Sequence, residues 1–267
     1  MIIIGEKLNG AIPSMAKAIE ERNEEWIKDL AIRQTAGGAE YIDVCSSVVE
    51  GDVEVLKWLV DLVQSVSDAK ICLDSPNPYS LVKAMPFCNK PGLINSVSME
   101  GDKINIVFPA IAETDWEVVA LLCDDSGIPE TAEERIAVFE KIMEKAKEYN
   151  IKPSRIHIDP LVISLGTEPE AFNTFAEVTR EVKRQYPDIH VTSGLSNISF
   201  GLPSRKTVNQ AFLILAMQAG MDSAIMDPTS RDMLGAIYAT EALLGIDEYC
   251  LEYLDAYRSD LFGVQKK

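Results

Sequence analysis

Eight times between Ile2 and Leu244, a short apolar run gives way to a longer segment whose apolar residues recur every three or four positions. Short apolar runs bounded by turn residues read as buried strands, and the longer segments as helices with one apolar face. Strict alternation of the two argues for an α/β fold with parallel strands and helices packed outside them. The expected strands are 2–4, 40–44, 70–73, 92–97, 117–123, 155–158, 189–192 and 223–226. The expected helices are 14–34, 52–66, 79–85, 105–112, 132–149, 169–186, 204–219 and 231–244. Eight units in about 245 residues fit a closed (β/α)8 TIM barrel, and an open doubly wound sheet is the alternative. The 267 residues read as one domain. Residues 246–267 are a C-terminal extension, rich in tyrosine and acid, that packs on the barrel or joins a dimer interface.

Composition narrows the partners. The formal charge is −17, so the surface repels nucleic-acid phosphates and anionic membranes. None of the apolar stretches reaches the ~20 residues of a membrane span, and MIIIGEKLNG lacks the basic region of a signal peptide. The five cysteines are odd in number and contain no CxxC, which argues against a disulfide framework and a zinc site. A cytoplasmic location fits.

In a (β/α)8 barrel the chemistry lies at the C-terminal ends of the strands. The residues expected there are Glu6, Lys7 and Asn9, then Asp43, Asp74-Ser75, Asn95-Ser96, Asp124-Asp125, Asp159-Pro160, Gly194-Leu195-Ser196-Asn197 and Asp227-Pro228. This is a ring of carboxylates and amides with almost no histidine. The chain has only His157 and His190, neither in a nucleophile context, so no Ser/His/Asp relay is readable. His157 lies two residues before Asp159 and faces the same side of its strand; packing is its expected role. HxH and HExxH are absent, so no bound metal is expected, and the missing GxGxxG and GxxxxGK[ST] remove dinucleotide and P-loop readings.

Ionised Asp only accepts hydrogen bonds, whereas Asn both donates and accepts. Groups of both kinds converging from separate strands suit a flat heterocycle with several N–H donors, such as a pterin. Asp after a strand also caps the next helix, and Asp52 and Asp227 fit that simpler role.

Five stretches carry a specific resemblance: Gly5-Glu6-Lys7-Leu8-Asn9-Gly10, Leu73-Asp74-Ser75, Leu93-Ile94-Asn95-Ser96, Ile158-Asp159-Pro160-Leu161 and Gly194 through Pro203 (GLSNISFGLP). In order and over nearly the whole chain, they resemble methyltetrahydrofolate–corrinoid methyltransferases and the pterin-binding domain of cobalamin-dependent methionine synthase. The resemblance implies a pterin-binding, dihydropteroate synthase-like barrel that moves a methyl group between N5 of tetrahydrofolate or methyltetrahydrofolate and the cobalt of a corrinoid, in either direction.

It further implies that Asp74, Asn95 and Asp159 hold the pterin, that Gly194 and Ser196 shape the loop beneath N5, and that Asn197 is the catalytic hydrogen-bonding group there. Arg205 matches a basic position suited to the anionic tail of folate. The chain has no DxHxxG signature, so the cobalamin is expected on a separate corrinoid-binding protein. Family members are usually homodimers. Two departures stand out: Phe200 where the family often has glutamine, and Cys45 where it often has asparagine.

The alternatives are a dihydropteroate synthase-like enzyme and a non-catalytic folate-binding subunit. The first would carry an Arg-x-His after the last strand, where this chain reads Met226-Asp227-Pro228. A Schiff-base aldolase would want a lysine inside a strand near the mouth, and Lys70 lies at the opposite end.

Overall fold

A computed structural model describes residues 1–47 and 51–264. Eight parallel strands run in the order β7-β6-β5-β4-β3-β2-β1-β8. They are β1 (Ile2–Asn9), β2 (Tyr41–Cys45), β3 (Lys70–Asp74), β4 (Leu93–Met99), β5 (Glu117–Asp124), β6 (Ile156–Asp159), β7 (His190–Val191) and β8 (Ser223–Met226). The ends of the sheet meet: Asp222 N donates to Val191 O at 3.2 Å and Ile225 N to Ser193 O at 2.9 Å. Helices alternate with the strands outside this barrel: α1 (Pro13–Glu20), α2 (Glu24–Ala36), α3 (Asp52–Gln64), α4 (Pro78–Ala84), α5 (Lys103–Ile111), α6 (Ala132–Glu148), α7 (Ala171–Gln185), α8 (Arg205–Ala219), α9 (Arg231–Leu243) and α10 (Leu251–Arg258).

The expected helix 14–34 is two helices. The first ends at Glu20, Arg22 turns the chain with a φ of 52°, and Asn23 caps the second, its side chain accepting from Trp26 N at 3.2 Å. The first strand is longer than expected and reaches Asn9. Its register shifts between Gly5 and Leu8. The fully buried Gln34 of α2 reaches into that shift, where its Oε1 accepts from Lys7 N at 3.0 Å. A Cβ on Gly5 would lie 2.6 Å from the same oxygen, so a side chain there would push the Gln34 amide off Lys7 N. The segment after α9 folds back on that helix. Arg231 donates to Asp260 Oδ1 (2.8 Å) and to the carbonyls of Phe262 and Gly263, and Phe262 packs on Tyr238 with ring centroids 5.7 Å apart. Residues 265–267 of the expected extension lie outside the described residues.

Alternation along each strand sends every second side chain into the barrel, and the pairing register stacks those side chains in levels. In the middle, Ile4, Tyr41, Cys72, Leu93 and Val119 form a buried apolar layer with Ile225 and Leu121 against it. Below it, Tyr41 Oη donates to Glu117 Oε1 at 2.6 Å, and His157 Nε2 lies 2.9 Å from Glu117 Oε2. Lys70 Nζ stands 3.6 Å from Glu117, and His157 stacks on His190. His157 therefore belongs to the packed floor. Above the apolar layer come Asp43, Asp74, Asn95 and Asp159, each two residues beyond an inward side chain of its own strand.

The floor gives a stability prediction. Burial pushes the Glu117 carboxyl up, but hydrogen bonds from His157 and Tyr41 and the charges of His157 and Lys70 outweigh it and bring it to about 2. A depressed folded pKa stabilises above the unfolded value, and that contribution fades as pH falls from about 4.5 through about 2. Glu117→Gln lowers the unfolding free energy at pH 7 by about 2–3 kcal/mol. It also flattens the loss of stability across that acid window, as urea unfolding at a series of pH values would show.

Candidate active site at the barrel mouth

The upper layer is acidic, and desolvation raises the carboxyls there above their ordinary values. Asp43 is buried and accepts from Cys72 Sγ at 3.0 Å and from Asn95 Nδ2 at 3.2 Å. Burial, followed by the charge of Asp74, drives its carboxyl up to about 8 despite those bonds. Asp74 faces Asn95 in register and rises to about 6; burial is the main cause, opposed by a hydrogen bond from Cys45 and aided by Asp52. Burial likewise lifts Asp159 to about 6 against hydrogen bonds from Leu161 N (2.8 Å) and Gly194 N. Glu6, two residues past Ile4, rises to about 7, through burial and the charge of Asp227, opposed by Lys7 and Arg205.

One turn of 3-10 helix, Leu195–Ser199, forms the loop after β7. Gly194 bridges to Ile225 at its base. A Cβ on Gly194 would lie 3.2 Å from Asn197 Nδ2, so the missing side chain leaves room for that amide to sit over the backbone. Arg205, at the start of α8, ties the loop down: Nε donates to Ser199 Oγ at 3.0 Å and Nη2 to Ser196 O at 2.6 Å. Its guanidinium lies 5.9 Å from the ring centroid of Phe200, which is 71% exposed. The loop after β6 is stitched to the same turn, with Ser164 Oγ donating to Phe200 O at 2.6 Å and Leu165 N to Ile198 O at 3.0 Å. Arg135 in turn donates to the carbonyls of Pro160 and Leu161.

The expected site residues fall into two groups. Asp74 and Asn95 pair across β3 and β4 and join through Asn95 to Asp43. Asp159 holds the backbone of Gly194, from which Ser196 and Asn197 follow. Arg205 adjoins the second group through the loop it pins.

Other ring residues serve the loops instead. Asp124 accepts from Ser126 N and pairs with Lys141 at 3.6 Å, and Asp125 accepts from Gly101 N at 2.8 Å. Asp227 closes a turn with Thr229 and pairs with Lys7 at 3.1 Å. Asp52 accepts from Ser75 Oγ at 2.8 Å. The residues that sequence reasoning left without a role are Asp43, Glu6 and the thiols of Cys45 and Cys72. The inward alternation Tyr41-Asp43-Cys45 is the signal that places two of them. Among the described residues, no group of three or more His, Cys, Asp or Glu side chains is arranged to hold a metal ion. No described helix is long and apolar enough to cross a membrane.

A family profile described as pterin binding enzyme matches residues 6–227. The chain belongs to the pterin-binding enzyme family. Within reach of this family is a methylcorrinoid:tetrahydrofolate methyltransferase of Eubacterium limosum, 53% identical over 271 aligned positions that cover 100% of both chains. The methionine synthase of Mycobacterium tuberculosis is 31% identical over 240 positions, which are 85% of this chain and 20% of that protein. Among solved structures, dihydropteroate synthase from Xanthomonas albilineans superposes with a TM-score of 0.66 at 16% identity, covering 91% of this chain and 92% of that one. The Yersinia pestis dihydropteroate synthase gives 0.65 at 14% identity, covering 91% and 94%. These two likenesses establish the barrel fold.

The electrostatics of the mouth are testable without a ligand. Asp74→Asn removes a charge that raises Asp43, so the Asp43 carboxyl titrates below about 8, and burial still holds it above 3.8. Carbon-13 NMR of labelled aspartate reads this directly; an unmoved Asp43 midpoint would show that the two acids do not interact.

Proposed function

We propose that this pterin-binding enzyme is a methyltransferase that carries a methyl group between the cobalt of a corrinoid protein and N5 of tetrahydrofolate, running physiologically from methylcorrinoid to tetrahydrofolate. The observation that carries the reading is full-length identity of 53% to a methyltransferase of that description, in a chain whose barrel mouth carries acids and amides, with Asp43 and Asp159 buried, Asp74 and Asn95 half-buried and Asn197 exposed.

The chemistry of that ring fits a reduced pterin. The 2-amino group and ring N–H groups of a pterin donate, and Asp74 and Asp159 accept. Asn95 offers both a donor and an acceptor, and its amide is oriented by Asp43. A buried polar group without its partner costs about 1–3 kcal/mol, so the same ring rejects heterocycles with a different donor pattern. Asn197 sits at the edge of the ring, over the small Gly194, where it meets N5. Its amide oxygen accepts from N5–H as positive charge grows there, an interaction stronger in the transition state than in the ground state. Ser196 fixes the path of that loop. Arg205 spends two of its five N–H groups on the loop and presents its remaining positive charge to the anionic tail of folate.

The methyl-bearing cobalt is a substrate delivered by a separate corrinoid-binding protein, which covers the open mouth during transfer. Neither nucleic acid nor membrane takes part, and the protein works in the cytoplasm. A second copy of the chain covers the apolar face made by the end of α9 and the start of α10, where Leu243 (84% exposed), Ile246, Tyr249 (89%) and Leu251 lie open.

Two measurements test these points. Asn197→Ala lowers the rate of methyl transfer from methylcobalamin to tetrahydrofolate by about 10²–10³, while the calorimetric folate affinity changes less than about tenfold. Equal stopped-flow cobalt spectra for mutant and wild type would remove Asn197 from the chemistry. For the assembly, Leu243→Glu converts the sedimenting species from dimer to monomer at micromolar concentration; an unchanged dimer would move the interface elsewhere.

A further inference from the structure

Three of the four buried carboxylates at the mouth are committed by hydrogen bonds. Asp43 accepts from Cys72 and Asn95, Asp74 from Cys45, and Asp159 from the backbone of Leu161 and Gly194. Glu6 is the exception, because among the described residues no group donates a hydrogen bond to its carboxylate. Instead it lines a cavity of about 410 Å³ that Ser196, of the Asn197 turn, also lines. The wall of that cavity includes Asn209, whose buried Oδ1 has no partner among the described residues. A polar cavity of this size holds several waters, and Asn209 offers one of them an acceptor.

Methyl transfer to tetrahydrofolate leaves a proton to be placed. N5 of tetrahydrofolate is a secondary amine. As the N5–carbon bond forms, the cobalt–carbon bond breaks and its electron pair stays on cobalt. N5 then carries its original hydrogen and a positive charge, and neutral methyltetrahydrofolate forms only when that proton leaves. Neither histidine is at hand: His157 is buried on Glu117 at the floor, and His190 contacts Asp222. The amide of Asn197 is no base.

We propose that the Glu6 carboxylate is the proton acceptor for N5 in this reaction, reached through water in the shared cavity, and the proton donor when transfer runs the other way. This assignment rests on the folate–corrinoid reading above. Both protonation states of Glu6 are abundant at neutral pH, as suits a group that must take and release a proton each turnover. The charges that set this balance face it from four elements: Asp227 beyond β8, Lys7 beside it on β1, Arg205 on α8 and Asp43 on β2. Lys206 and Asp232 stand further along the cavity wall.

The test is the pH profile of methyl transfer from methylcobalamin to tetrahydrofolate by the full chain, with folate affinity measured in parallel. The wild type is expected to show a kcat limb that rises with pH and centres near 7. Glu6→Gln lowers kcat by about 10²-fold and abolishes that limb, with tetrahydrofolate binding kept within about threefold. Glu6→Asp keeps a limb at reduced rate, and Lys7→Met, which removes a charge holding Glu6 down, moves the limb to higher pH. A Glu6→Gln enzyme with the wild-type profile, or a limb unmoved in Lys7→Met, overturns the assignment. A wild type that binds tetrahydrofolate but transfers no methyl overturns the reading beneath it and the proposal with it.

Discussion

The parallel hydrogen-bond ladder fixes which residues of neighbouring strands lie side by side, and everything at the mouth depends on that pairing. It levels the inward side chains of neighbouring strands, so that Tyr41, Asp43 and Cys45 climb beside Lys70, Cys72 and Asp74. A slip of one residue would turn each of those side chains out toward the helices. With the register fixed, the barrel interior divides into a charged floor, an apolar middle and an acidic mouth. The middle layer of Ile4, Cys72, Leu93 and Val119 separates the two polar layers, and the helices cover the outside. Closure between β7 and β8 then sets the Gly194–Asn197 turn beside Asp159 rather than at a free sheet edge.

Burial gives the two polar layers opposite characters. At the floor, Glu117 has Tyr41, His157 and Lys70 around it, so it stays ionised and works as a structural acceptor. At the mouth the acids outnumber the cations, and desolvation raises Glu6, Asp43, Asp74 and Asp159 together. An acid held near its midpoint in a shielded pocket either accepts a hydrogen bond from a ligand or exchanges a proton with it. Those are the two tasks that gripping a pterin and methylating its N5 require. The overall charge of −17 adds to the same field and leaves Arg205 as one of few cations near the mouth.

Much of this is legible in the sequence. The eightfold alternation is a local property, because short apolar runs and amphipathic segments announce themselves in single stretches of chain. The ring positions followed from it, since the end of each strand is the start of the mouth. What escaped the sequence depends on contacts between distant residues. The break at Asn23 comes from one side chain that caps a helix inside an otherwise continuous helical pattern. The length and bulge of β1 come from Gln34, 27 residues away, reaching in to bond Lys7 N. Asp43 read only as one member of the ring at the strand ends, yet the hydrogen bond it accepts from Asn95 makes it the group that orients the amide. Arg205 read as a contact for the folate tail, and its observed bonds add the task of holding the Asn197 turn in place.

The central claim is that acids and amides from separate strands meet at one end of the barrel to grip a reduced pterin. The most direct measurement is a crystal structure of the protein with tetrahydrofolate bound. The account predicts the pterin ring at the mouth, with its amino edge on Asp74 and Asp159, Asn95 bonded to the ring and N5 facing Asn197. A pterin bound away from these four residues, or no density for it at saturating concentration, would contradict the account.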